Sequence, residues 1–228
     1  MLKFIINNLI WREGKSIIFV FIILFFFSIY FKYTFLIFLL LIFFLFSFYF
    51  FRNPQRIILN PLNFELDDII ISPADGVVIE IVELDQTDKD IKLEDGYLKR
   101  VSIFLSPFDV HVNWASMAGN IEAVEYKKGE FRMAFTPKSS ILNERNDILI
   151  RSIVDSRKKI LIRQIAGTIA RKIVCWVKVN DYVKLGQKYG MIKFGSRVDI
   201  FFTDKVELKV NLNDRVYGGQ TIIAKWLY

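Results

Sequence analysis

The segment Asp181-Tyr182-Val183-Lys184-Leu185-Gly186-Gln187 is matched further along the chain by Asp214-Arg215-Val216-Tyr217-Gly218-Gly219-Gln220. Both copies follow the pattern Asp-x-Val-x-x-Gly-Gln, and an apolar run of strand length comes after each of them. An aspartate turn, a short strand, a glycine turn and a second strand form a compact β unit. The repeat therefore predicts a mainly β domain built on two related units.

The rest of the chain from residue 69 onward fits this prediction. It consists of short β-branched runs bounded by Gly, Asp, Asn or Pro, and we expect strands over Ile69–Ile71, Val77–Val82, Val101–Leu105, Ile121–Tyr126, Ile148–Val154, Lys159–Ile165 and Ile173–Val179. The pattern, with its Pro73-Ala74-Asp75-Gly76 turn, resembles the barrel-sandwich hybrid of lipoyl- and biotinyl-type domains. The lysine that carries lipoate or biotin in such domains has no counterpart here, so we expect the fold without that function.

The N-terminal segment is strongly apolar, from Ile17 to Phe31 and again from Phe35 to Phe51, with Lys32-Tyr33-Thr34 between the two runs. One continuous helix would be roughly 52 Å long, against a hydrocarbon core of about 30 Å, and would bury Lys32 in the bilayer. Two antiparallel helices that turn at Lys32 avoid both problems. We expect a membrane-anchoring hairpin over residues 1–51, which either spans the bilayer or dips into one leaflet. A linker over 52–68 and a β-rich catalytic domain over 69–228 follow.

Charge and cysteine content exclude several classes of function. The formal charge is +7, but the basic residues are scattered and no basic run carries interleaved aromatics, so we expect no nucleic acid partner. The single cysteine, Cys175, excludes an internal disulfide and a cysteine-rich metal site. Basic residues occur on both sides of the hairpin, which predicts that both ends lie on the cytoplasmic side of the cell membrane: Lys3, Arg12, Lys15, Arg52 and Arg56.

Gly195-Ser196 comes directly after a strand-like run, near the C-terminus. In a constrained turn, a serine hydroxyl can attack the preceding glycine carbonyl and convert the peptide into an ester. Elimination from that ester leaves a new chain that begins with a pyruvoyl group, an electrophilic carbonyl that can serve as an electron sink for amine substrates. The dipeptide alone is common in ordinary turns, so this hypothesis depends on the other motifs.

His111 is the only histidine of the chain, in Asp109-Val110-His111-Val112-Asn113. A histidine suits proton transfer near neutral pH, although a buried structural histidine fits the same spacing. Asp75 lies in a turn signature and fits an ordinary turn residue equally well. Asp75, His111 and Ser196 together supply the residue types of a triad, which is judged by geometry rather than by order in the chain. Neither a second histidine nor a cysteine cluster is present, so we expect no metal.

These motifs together resemble the phosphatidylserine decarboxylase family, in its short bacterial and archaeal branch. The resemblance covers nearly the whole chain and is carried by the following segments: Phe51–Pro54, Ser72–Gly76, Val101–Leu105, Asp109–Asn113, Asn143–Arg145, Gln164–Gly167, Ala170–Cys175 and Gly195–Asp199.

The resemblance implies a proenzyme that cuts itself between Gly195 and Ser196. Its products would be a β chain of residues 1–195 and an α chain of residues 196–228 that starts with a pyruvoyl group made from Ser196. The two chains would stay together as a heterodimer, alone or within a higher oligomer. The implied reaction decarboxylates membrane phosphatidylserine, through a Schiff base, to phosphatidylethanolamine and CO2.

The chain departs from the longer members of the family at two places. They carry Leu-Gly-Ser-Thr and His-x-x-His, whereas this chain has Phe194-Gly195-Ser196-Arg197 and a single histidine followed by Trp114. Here either His111 serves both self-cleavage and decarboxylation, or another donor or a water takes one task. Basic residues near the cleavage site are candidates for the lipid phosphate: Arg171, Lys172 and Arg197.

Two other functions compete with this one. A membrane-anchored barrel-sandwich adaptor without enzymatic activity would explain the hairpin and the repeat, but it leaves Gly195-Ser196 and His111 without a purpose. It would also be expected to carry a coiled-coil insertion, and no heptad pattern occurs. A pyruvoyl decarboxylase for a soluble amino acid predicts no membrane hairpin.

Overall fold

The computed structural model describes residues 12–60, 64–84, 98–130, 132–133, 139–167, 172–193, 196–203 and 205–227. The chain divides into two compact units, Met1–Gln55 and Arg56–Tyr228. The first unit is helical and the second is mainly β.

From residue 12 onward the first unit contains two helices, α1 over Arg12–Tyr30 and α2 over Thr34–Phe50. Between them Lys32 takes the left-handed conformation, with φ of 56°, and the rings of Phe21 and Phe43 stack with centroids 6.1 Å apart. This arrangement confirms the predicted hairpin with its turn at Lys32. Most of its large apolar side chains are exposed, and α1 is long and apolar enough over Glu13–Tyr30 to cross a membrane, whereas α2 is shorter. Both properties support association with a membrane.

Among its described residues the second unit contains fourteen strands, a 3₁₀ turn over Leu66–Asp68 and one short helix, α3, over Ser139–Leu142. The strands are β1 Ile69–Ile71, β2 Gly76–Leu84, β3 Leu98–Leu105, β4 Val112–Trp114, β5 Gly119–Lys127, β6 Arg145–Arg151, β7 Lys159–Ala166, β8 Lys172–Cys175, β9 Tyr182–Val183, β10 Lys188–Lys193, β11 Ser196–Thr203, β12 Val206–Leu208, β13 Arg215–Val216 and β14 Ile222–Trp226. A mainly β fold after an N-terminal helical hairpin is the fold class that the sequence predicted.

The strands form two small sheets and one large sheet, and the order of each reveals a duplication. The three-stranded sheets run β1-β14-β12 and β4-β10-β8, and the eight-stranded sheet runs β13-β2-β3-β11-β7-β6-β5-β9. The centre of the large sheet lies between β11 and β7. The strands on one side of it (β11, β3, β2, β13) follow the same pattern of connections as those on the other side (β7, β6, β5, β9). The equivalent strands are therefore β1 and β4, β2 and β5, β3 and β6, β11 and β7, β12 and β8, β13 and β9, and β14 and β10.

We call the two sets of strands half A (β1–β3 and β11–β14) and half B (β4–β10). Half B is inserted into half A between β3 and β11, so the chain passes between the halves twice. The first passage is residues 106–111, and the second is residues 194–195. The two passages carry His111 and the Gly195–Ser196 bond, so both candidate reactive groups occur where the halves join.

The two Asp-x-Val-x-x-Gly-Gln copies lie in equivalent places of the two halves and have the same backbone. Gly186 and Gly219 each have φ of 73°. The aspartate of each copy accepts a hydrogen bond from a backbone N–H three residues earlier, over 2.8 Å for Asp181 and 2.7 Å for Asp214. Each asparagine before the aspartate is also left-handed, with φ of 73° at Asn180 and 71° at Asn213. The predicted internal repeat is confirmed as part of the larger duplication.

One apolar core fills the space between the large sheet and the small sheets. Every second residue of the central strands points into it, as the two-residue period of a strand requires. The contributing side chains on β3, β6, β7 and β11 are Val101, Ile103, Leu105, Ile148, Ile150, Ile160, Ile162, Val198, Ile200 and Phe202. We call the side of the large sheet that faces this core its inner face.

Candidate active site

One end of the eight-stranded sheet holds two of the residues that the sequence singled out, Ser196 and Asp75. Ser196 begins β11 and pairs with Leu105, the last residue of β3, and with Ala166, the last residue of β7. Asp75 immediately precedes β2, whose Val77 pairs with the neighbour of Leu105. Two strand spacings place Asp75 and Ser196 about 10 Å apart along this end of the sheet.

Ser196 lies on the inner face and is fully buried. Its hydroxyl has no hydrogen-bond partner among the described residues. A buried hydroxyl without a partner costs about 1–3 kcal/mol relative to a satisfied one, so stability does not explain this serine. Gly195, the other half of the expected cleavage site, lies outside the described residues.

His111 is fully buried at the end of the first passage between the halves. Its backbone carbonyl accepts a hydrogen bond from the Ile192 N–H over 3.1 Å, which ties it to the strand that leads into the second passage. Its ring Nδ1 lies 2.9 Å from the carbonyl oxygen of Asp109. A carbonyl can only accept, so Nδ1 carries the proton, and in the neutral ring Nε2 is then the basic nitrogen. This is the tautomer that a general base needs.

Asp75 makes its contacts with Arg56 and with a backbone amide rather than with the histidine ring. Arg56 Nη1 lies 2.5 Å from Asp75 Oδ1 and Nη2 lies 2.7 Å from Oδ2. The Gly218 N–H also donates to Oδ1, over 2.8 Å. Among the contacts of the described residues the direct Asp75–His111 bond expected from a triad is missing, and the Asp109 carbonyl occupies the orienting position instead.

The three basic candidates for the lipid phosphate differ in their surroundings. Arg197 is 0% exposed and pairs with Asp199 at 2.6 Å and Glu80 at 2.8 Å. Burial alone lowers the pKa of Arg197, but the two carboxylates outweigh it and raise the pKa. This buried, paired cation has no exposure to a lipid phosphate, contrary to the expectation from its position after the cleavage site. Lys172 is exposed at the start of β8, and Arg171 lies outside the described residues.

Sequence reasoning missed three buried amides close to this end of the sheet. Asn146 on β6, Gln164 on β7 and Asn113 on β4 are hydrogen-bonded in series, over 3.0 Å and 2.8 Å. All three are buried. The sequence could have indicated these amides, because each is a polar residue at a strand position where the two-residue period predicts a core side chain. No group of three or more metal-ligating side chains occurs within the part of the chain that the structure describes.

Comparison with known proteins places the chain in a family. The model of the phosphatidylserine decarboxylase family matches residues 43–224. This chain belongs to the phosphatidylserine decarboxylase family.

Curated relatives in this family are phosphatidylserine decarboxylase proenzymes. The chain is 45% identical over 175 residues to the one from Rickettsia akari, covering 77% of this chain and 72% of the relative. It is 43% identical over 180 residues to the one from Amoebophilus asiaticus, covering 77% and 73%, and 43% identical over 175 residues to the one from a Wolbachia of Brugia malayi, also covering 77% and 73%. The resemblance seen in the motifs is confirmed, and so is the prediction of a decarboxylase. An adaptor without enzymatic activity is thereby excluded.

Proposed function

We propose that this protein is a self-processing, pyruvoyl-dependent enzyme that converts phosphatidylserine into phosphatidylethanolamine and CO2. The observation that carries the proposal is the buried Ser196 hydroxyl, which has no partner among the described residues and follows Gly195 in the passage between the halves. Membership of a family whose curated relatives are proenzymes supports it.

In the proposed self-cleavage, Ser196 is the nucleophile and His111 is the general base. Nε2 of His111 takes the hydroxyl proton as Ser196 Oγ attacks the carbonyl carbon of Gly195, and the peptide C–N bond breaks to give an ester and a free amine. Removal of the Cα proton of residue 196 then breaks the Cβ–O bond and frees the carboxylate of Gly195. The dehydroalanine left at position 196 takes up water and loses ammonia, which leaves the pyruvoyl group.

The roles of Asp75 and Asp109 differ from those of a simple triad. The Asp109 carbonyl fixes the histidine tautomer, as its 2.9 Å contact with Nδ1 supports. Asp75 is held by Arg56 at the same end of the sheet, and its proposed role is to position the turn before β2 rather than to contact the histidine ring.

Position 196 suits a pyruvoyl group, because the residue is fully buried at the start of β11. When formed, this group would supply the electron sink for the serine amine of the lipid through a Schiff base. Burial at this position excludes bulk water. We propose that His111 donates a proton to the carbon atom from which CO2 has departed.

The hairpin explains how a buried site meets a membrane lipid. The apolar side chains of α1 and α2 would hold the β domain at the bilayer, with its basic flanking residues on the cytoplasmic side. Exposed Lys172 is a candidate for the lipid phosphate, with Arg171 beside it in the sequence.

Intact-mass measurement of purified variants tests the proposal. The wild type should give fragments of residues 1–195 and 196–228, the smaller without a free N-terminal amine. Ser196→Ala should remain a single chain of 228 residues and should release no CO2 from phosphatidylserine. Ser116→Ala is the matched control, because Ser116 is also fully buried with no partner for its hydroxyl among the described residues, and it should mature normally. A wild type that decarboxylates as an uncut chain would overturn the pyruvoyl mechanism.

A further inference from the structure

The direction of the buried amide series is fixed by a backbone carbonyl. Nε2 of Gln164 lies 2.8 Å from Asn113 Oδ1 and 3.5 Å from the carbonyl oxygen of Val174. Because both neighbours accept, Gln164 presents its NH₂ group on this side and its oxygen to Asn146, whose Nδ2 donates to it over 3.0 Å. The oxygen of Asn113 therefore accepts the hydrogen bond from Gln164, and the NH₂ group of Asn113 points away from the series.

The donor at the end of the series, Nδ2 of Asn113, is unusual. Asn113 is 0% exposed, and its Nδ2 has no hydrogen-bond partner among the described residues. The two bonds upstream polarise the series in one direction, which strengthens the terminal donor. A buried amide donor left in this state is costly in the unliganded protein.

The duplication shows that half A carries no amide at these positions. Asn113 pairs with Gly190 next to a register irregularity in half B, and Ile70 pairs with Ala224 next to the same irregularity in half A. Asn146 pairs with Gln164 in half B, and the equivalent pair in half A is Lys99 with Phe202. The same three places are thus filled by Ile70, Lys99 and Phe202, of which Ile70 and Phe202 are fully buried apolar side chains.

Gln164, the middle member of the amide series, lies close to Ser196. Gln164 is two residues before Ala166 on β7, so both point to the inner face, and Ala166 is the pairing partner of Ser196. Asn113 is two residues after His111 in the chain. The amide series therefore has its middle member one rung away from the reactive position.

We propose that Asn113 Nδ2 donates a hydrogen bond to the carboxylate of the lipid's serine head group and so holds the substrate for decarboxylation. This inference rests on the proposed function. A neutral donor suits that task, because the carboxylate loses its charge as CO2 forms. A buried cation would stabilise the charged ground state more than the transition state and would slow the reaction. The product lacks the carboxylate, so the contact also distinguishes substrate from product.

The test uses the mature enzyme with dihexanoyl phosphatidylserine in detergent micelles. Asn113→Asp keeps the shape and the acceptor for Gln164 but replaces the donor with a negative oxygen. We expect self-cleavage to be retained and the KM for dihexanoyl phosphatidylserine to rise about tenfold or more. Inhibition by dihexanoyl phosphatidylethanolamine should be unchanged. Cyanoborohydride should trap the same amount of this product lipid at position 196, as measured by intact-mass analysis. Asn120→Asp adds the same charge at an exposed position and should alter neither value.

A second variant separates this role from a structural one. The triple substitution Asn113→Ile, Gln164→Ile and Asn146→Val replaces all three amides with aliphatic side chains, so that no amide of the series is left without its partner, and it should fold and cleave itself. It should show the same rise in KM with trapping of the product lipid unchanged. An unchanged KM in cleaved variants would overturn the inference while leaving the proposed function intact. Loss of self-cleavage in both variants would also overturn it, because the amides would then serve maturation. Failure of the wild type to cleave or to release CO2 would instead refute the proposed function.

Discussion

Arg56 and Asp75 form a bidentate ion pair, with Nη1 2.5 Å from Oδ1 and Nη2 2.7 Å from Oδ2. The guanidinium group also donates to the Gly218 carbonyl over 3.0 Å and lies 4.8 Å from the ring centroid of Trp114. Arg56 is the first residue of the β unit, so the pair fixes the start of this unit to the turn before β2. The same turn stands at the end of the sheet that holds Ser196.

Breaking this pair should destabilise the β unit strongly. Arg56→Ala leaves the buried Asp75 carboxylate without its cation, and we expect the free energy of unfolding to fall by about 3–5 kcal/mol. Denaturant unfolding should be followed by tryptophan fluorescence in a Ser196→Ala background, so that every variant is a single chain. Arg157→Ala is the control, because Arg157 makes a similar ion pair with Asp155 at an exposed site, and it should change stability little. Equal losses in the two variants would show that the Arg56 pair has no special importance.

His111 should be required for maturation. His111→Gln keeps the size of the side chain but removes the general base, and we expect the rate of self-cleavage to fall by about 10²–10⁴-fold. The measurement is a time course of intact mass on freshly purified protein. Cleavage at the wild-type rate would assign the proton transfer to water or to another side chain.

The two chains should remain associated after the cut. The α chain begins with β11, which is paired along its length with β3 on one side and with β7 on the other, and both of those strands belong to the β chain. Cleavage removes only one of the two passages between the halves. We expect a tag on the β chain to retain the α fragment in native buffer and to release it in denaturant. Loss of the α fragment in native buffer would contradict the strand order reported above.

The sequence predicted the elements with a strong local signal and missed those that depend on distant pairing. The hairpin and the repeat were visible because a charged break in an apolar run and the Asp and Gly of a turn occur at fixed spacing. The larger duplication was not, because half B interrupts half A and equivalent positions share burial rather than residue type, as Asn113 and Ile70 do. Arg197 was misjudged for a related reason, since its carboxylate partner Glu80 lies 117 positions away in the chain.

The two copies of the repeat allow one further prediction, which compares the same substitution in equivalent turns. Gly186 and Gly219 share a φ of 73°, so alanine should be strained at both, by about 1–2 kcal/mol. Their surroundings differ. A Cβ on Gly186 would find its nearest neighbour at 3.6 Å, in ordinary contact, whereas a Cβ on Gly219 would lie 2.8 Å from the ring of Trp114.

Gly219→Ala should therefore be the more damaging of the two. Trp114 is 1% exposed and Arg56 lies over its ring, so the indole has little room to move. Crowding of this kind typically adds about 1–3 kcal/mol to the backbone strain. Unfolding of both variants in the Ser196→Ala background gives the difference directly, because the backbone contribution is common to the two sites. Equal losses would mean that the ring of Trp114 can shift to accept a methyl group, and the packing of Trp114 against the Gly219 turn would then be looser than described here.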